Sequence, residues 1–170
     1  MPTVIEGNLR FQFPAGWRTE KFDGSSFYRN QFQRVCGGAK AVDILALGPD
    51  RSAWFIEIKD FRAHPRQKSM DLVQEVAAKV RDSLAAVLPA SVNANDAEEK
   101  EFARGALTSR SINVVLHLEQ PAARSRLFPR EFDLANVRQK LRQLLKPVDA
   151  HLKVVGSGTV RGREIPWTVE

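Results

Sequence analysis

The sequence predicts an α/β domain with a mixed central β-sheet flanked by helices, and three observations carry that prediction. Two apolar runs, 41–47 and 53–59, are joined by the short turn-rich stretch Gly48-Pro49-Asp50-Arg51-Ser52, the pattern of an antiparallel hairpin. Val73, Val76, Val80, Leu84 and Val87 then recur at spacings of three and four, the period of a helix with one buried stripe. A third apolar run, 111–118, follows the helical region, so strands and helices are interleaved.

The elements follow in order. Leu9-Arg10-Phe11-Gln12-Phe13 alternates apolar and polar side chains and reads as a strand, turned by Pro14-Ala15-Gly16. Residues 17–22 read as a returning strand, closed by Asp23-Gly24-Ser25-Ser26, and 27–35 as a further, weakly alternating strand. After the hairpin, a helix is predicted over 70–88, with Pro89 as its stop. A second helix is predicted over 94–107, capped by Asn95 or Asp96. Asp133 is placed to cap a third helix over 134–145, stopped by Pro147. Short strands at 151–155 and 165–169 end the chain.

Composition narrows the class. One cysteine, Cys36, excludes an internal disulfide and fits a reducing, cytoplasmic setting. No apolar run approaches the ~20 residues of a membrane span, and the N-terminus lacks the pattern of a signal peptide. The net charge of +6 permits a polyanionic partner. Basic residues cluster twice: Arg62, His64, Arg66 and Lys68 follow the second strand of the hairpin, and 119–146 carries seven basic against three acidic side chains. A solvated basic surface accounts equally well for the second group.

The hairpin carries charges where a buried strand should carry none. Asp43 sits in Val42-Asp43-Ile44-Leu45, and Glu57 and Lys59 in Phe55-Ile56-Glu57-Ile58-Lys59. Ionised groups in apolar surroundings are costly unless paired or bound to a metal. Side chains alternate along a strand, so Glu57 and Lys59 point to one face. The plain alternative is a set of ordinary salt bridges on an exposed sheet face, but Leu45, Leu47 and Phe55 share that face.

Asp43, then Glu57-Ile58-Lys59 after a hairpin, followed by a long helix and another strand, resembles the PD-(D/E)XK nuclease superfamily. The resemblance covers 28–118. It implies a restriction-endonuclease-like core within one nuclease-like domain, 1–170. Val42 stands where the name has Pro. The acidic residue that many members carry before the first strand has no clear counterpart; Glu20 and Asp23 are nearest, and Asp23 is the candidate further metal ligand.

The function this implies is a Mg-dependent endonuclease-type phosphodiesterase acting on DNA. Asp43 and Glu57 would bind Mg (or Mn), with the Ile58 backbone carbonyl as a further ligand; a hard cation prefers such oxygens. Lys59 would assist the attacking water. Gln74, on the following helix, is a candidate catalytic residue because several members carry a glutamine there. Arg62, Arg66 and Lys68 would track the phosphate backbone. The rival expectation is a catalytically silent nuclease-fold module that binds nucleic acid or a protein partner, with a homodimer also open.

Overall fold

The computed structural model describes residues 1–64, 66, 70–121, 132–156 and 165–170. Its centre is a five-stranded mixed sheet built from β3 (Arg18–Lys21), β4 (Ile44–Leu47), β5 (Ser52–Asp60), β6 (Ser111–Glu119) and β7 (Lys153–Val155), in that spatial order. β3 pairs antiparallel with β4 and β4 with β5, while β6 lies parallel to β5 and β7 parallel to β6. Parallel neighbours need a crossover. Helices α1 (Leu72–Asn93) and α2 (Ala97–Leu107) provide it between β5 and β6, and α3 (Leu134–Leu145) provides it between β6 and β7.

A small second sheet joins β1 (Thr3–Glu6), β2 (Leu9–Gln12) and β8 (Thr168–Val169). The strand over 9–12 therefore pairs with 3–6 and 168–169, and 18–21 does not return along it but pairs with β4.

The two faces of the large sheet are both covered, which explains why β5 is buried from Ser52 to Ile58. Leu45, Leu47, Phe55, Val114, Leu116 and Leu118 meet Val73, Val76, Val80 and Val87 of α1 and Val137 and Leu141 of α3. On the other face Ile44, Ala46, Trp54, Ile56 and Ile58 meet Phe11, Phe13 and Trp167 beneath the small sheet. Trp17, Trp54 and Trp167 pack against one another there, with ring centroids 5.2 to 6.0 Å apart. Glu57 shares the parity of Phe55, so it faces the helices.

Two expected elements differ. Residues 27–35 are helical turns, not a strand: Arg29 N–H donates to Ser25 and Gln33 N–H to Tyr28, and 28–32 form one π-helical turn. The buried side chains Phe27 and Tyr28 are adjacent and Phe32 follows about one helical turn on, which a weak alternation hides. The other difference is Pro89, which does not stop α1; the helix continues to Asn93. The proline leaves the Ala85 carbonyl without its helical donor, and Ala85 is on the exposed side of α1, where water can satisfy it. Asp71, Asp96 and Asp133 cap α1, α2 and α3, each accepting from N–H groups of the first turn. Among the described residues no helix is long and apolar enough to cross a membrane.

Candidate functional site

The charged residues of the hairpin meet the first two turns of α1. The β4–β5 register pairs Ile44 with Ile56, so one step further Asp43 falls opposite Glu57. The main-chain ladder ends there. Asp43 Oδ2 accepts the Ile58 N–H at 2.6 Å, a side chain closing the pairing where the strand has stopped. Asp43 Oδ1 lies 3.2 Å from Lys79 Nζ. Glu57, only 1% exposed, places Oε1 2.7 Å from both Lys59 Nζ and Lys79 Nζ. Lys59 reaches on to Glu75 Oε1 at 3.2 Å, and Arg66 holds Glu75 Oε2 at 2.6 Å.

The result is a chain of alternating charge, Asp43–Lys79–Glu57–Lys59–Glu75–Arg66, strung across the β4–β5 edge and the first two turns of α1. Among the described residues, three carboxylates face three cations. Such a network is tolerable in a low-dielectric site because each charge has a partner. Glu75 also gains from its place in the first turn of α1, where the helix dipole favours an anion. Glu57 Oε2 is buried and without a hydrogen-bond partner.

Electrostatics follow the burial. Removal from water, reinforced by the Asp43 charge, pushes the Glu57 carboxyl up to about 7, although Lys79 and Lys59 pull it down. Burial alone would lower the Lys79 ammonium, but Glu57 and Asp43 outweigh it and hold Lys79 well above the ordinary lysine range. Asp23, on a single 3₁₀ turn over 22–24, borders the network; the neighbouring Phe22 N–H donates to the Asp43 carbonyl. Burial, then the charges of Asp43 and Glu6, raise the Asp23 carboxyl.

The residues expected from the sequence are thus distributed unevenly. Asp43, Glu57 and Lys59 converge, with Asp23 at the border. Ile58 joins them through its N–H. Gln74 does not converge: it is exposed, one position round the helix from the buried Glu75, and its N–H donates to the capping Asp71. The helix residues that reach the site are Glu75 and Lys79, four apart on one face. Arg66 is not a rim residue for a phosphate backbone. Its side chain is nearly buried, donating to the Met70 carbonyl and to Glu75. Arg62 is more open but is clamped in two-point contact by Asp60. Lys68 lies outside the described residues.

Magnesium or manganese does not fit this arrangement as it stands. Carboxylate oxygens are the right donors. However, the position shared by Asp43 Oδ1 and Glu57 Oε1 is filled by the Lys79 ammonium. Among the described residues, no group of three or more His, Cys, Asp or Glu side chains is placed to hold a metal ion.

A Cysteine--tRNA ligase of Neisseria meningitidis serogroup A / serotype 4A is 32% identical to this chain over 211 residues, taking in 99% of this chain and 30% of the ligase. The chain therefore spans less than a third of the length of the curated relative it matches. No protein-family model matches the chain. No solved structure matches it. The ligase match runs against the expectation of a Mg-dependent endonuclease-type phosphodiesterase, because the relative is named as a ligase and not as a nuclease.

Proposed function

We propose that this chain is a nucleic-acid-binding module, built on a restriction-endonuclease-like core whose charged centre holds the fold together rather than cutting a strand. Its ligand class is RNA, and tRNA in particular. The observation that carries this reading is the match of nearly the whole chain to one portion of a protein named for tRNA.

Charge supports it. The six groups of the central network sum to zero when all are ionised, so the net +6 of the chain is carried outside them. Arg29, Arg34, Lys40 and Arg81 are exposed on the 28–40 segment and the adjoining face of α1. Asp82 joins these two stretches, accepting from the Lys40 N–H and from Arg81. Sequence reasoning passed over these residues because they are scattered along the chain, whereas 62–68 is contiguous. RNA is favoured over DNA by the relative's name, and the cytoplasm is the compartment this implies.

The test is fluorescence anisotropy with a tRNA and a DNA duplex of equal length across a salt series. The tRNA should bind more tightly, and each phosphate contact should steepen the salt dependence by nearly one unit of slope. Equal or stronger binding of the duplex contradicts the RNA assignment, and no binding of either contradicts the module.

A further inference from the structure

The mismatch between the carboxylate pair and a metal has a specific author, Lys79. We propose that the Lys79 ammonium competes with divalent cations for the space between Asp43 and Glu57, so that this one side chain sets how tightly the pair takes a hard divalent ion.

Three observations carry the inference. Lys79 Nζ contacts one oxygen of each carboxylate, 3.2 Å from Asp43 and 2.7 Å from Glu57, the sharing that a bridging cation would require. Glu57 Oε2 is buried without a hydrogen-bond partner, so the pair keeps an oxygen that no protein donor has satisfied. Finally, removing Lys79 takes one positive charge from between the two carboxylates and leaves that position open. Lys59 cannot take that place without abandoning Glu75, to which it is held at 3.2 Å. The chemistry selects magnesium or manganese over zinc, because both donors are carboxylates. The inference concerns the ion-pair centre alone and holds whether or not the chain binds RNA.

The experiment is a manganese titration followed by electron paramagnetic resonance, with no nucleic acid present. It compares the unaltered chain, Lys79→Met, and Lys79→Met combined with Glu57→Gln. Lys79→Met should bind one ion about tenfold or more tighter than the unaltered chain, and the double variant should lose that gain. Unchanged or weaker affinity in a natively folded Lys79→Met protein overturns the proposal. So does a gain that survives Glu57→Gln, because the ion then sits elsewhere. If Lys79→Met does not fold, the 15N resonance of the Lys79 ammonium in the unaltered chain decides. It should stay fixed without divalent ions and move as magnesium saturates the site. Magnesium bound with that resonance unmoved overturns the proposal, and failure to bind at millimolar magnesium agrees with it.

Discussion

Lys79 and Glu57 meet in the buried centre, 2.7 Å from Nζ to Oε1, and tie the second turn of α1 to the middle of the sheet. The two residues are 22 positions apart in the chain and on different elements, so breaking the contact loosens a tertiary joint rather than a local turn.

Stability should depend on pH through Glu57. Its carboxyl stands at about 7 in the fold against 4.5 for a free side chain. The folded state therefore binds the proton more tightly than the unfolded chain. The stabilisation is fully present below pH 4.5, declines as pH rises, and is gone above 7. Glu20, raised to about 7 by burial and by Glu99 and Asp96, acts in the same window and with the same sign. Urea denaturation between pH 5 and 8 should show stability falling, and Glu57→Gln should remove about one proton from that dependence. An unchanged slope in the variant would show that Glu57 does not titrate there.

Asp43 has two structural tasks, accepting the Ile58 N–H and neutralising Lys79. Asp43→Ala leaves a buried donor and a partly unpaired ammonium, and should destabilise by about 3–5 kcal/mol. Asp43→Asn keeps an acceptor for Ile58 and should cost less. Thermal denaturation of the two variants checks the order.

The start of α1 depends on its cap. Asp71 accepts from the N–H groups of Val73 and Gln74, and this first turn also presents Glu75 to Lys59 and Arg66. Asp71→Ala should cost about 1 kcal/mol in urea titrations, and Asp71→Asn little.

These expectations show where sequence reasoning reached and where it stopped. Strand alternation is a strict period of two, so it sets Glu57 and Lys59 on one side of β5, and the apolar residues around them mark that side as buried. The capping aspartates are equally local signals. The partners of the charged strand are not local. Glu75 and Lys79 lie beside the Val73–Val76–Val80 stripe, close enough that a turn of the helix decides between solvent and core, and Gln74 falls on the wrong side of that turn. Pro89 misleads because one missing hydrogen bond on a wet face does not break a long helix. The turns over 27–35 mislead because their buried residues are few and closely spaced. Arg66 misleads most, since its position after the charged strand suits a phosphate contact until Glu75 is seen to claim it.

The exposed basic residues give a prediction about binding. Replacing Arg29 and Arg34 together with glutamine should lower tRNA affinity and reduce the salt slope by about two units if each meets one phosphate. Replacing Arg62 should matter less, because Asp60 already holds it. A larger loss from Arg62 would move the binding surface to the end of β5.

The most direct test of the account is an end-labelled tRNA incubated with the purified chain and millimolar magnesium or manganese, then resolved on native and denaturing gels. The account predicts a retarded complex on the native gel and full-length RNA on the denaturing gel. Shortened products that depend on the metal and vanish in both Asp43→Ala and Lys59→Ala would contradict it, because the charged centre, proposed only to hold the fold together, would then be cutting RNA.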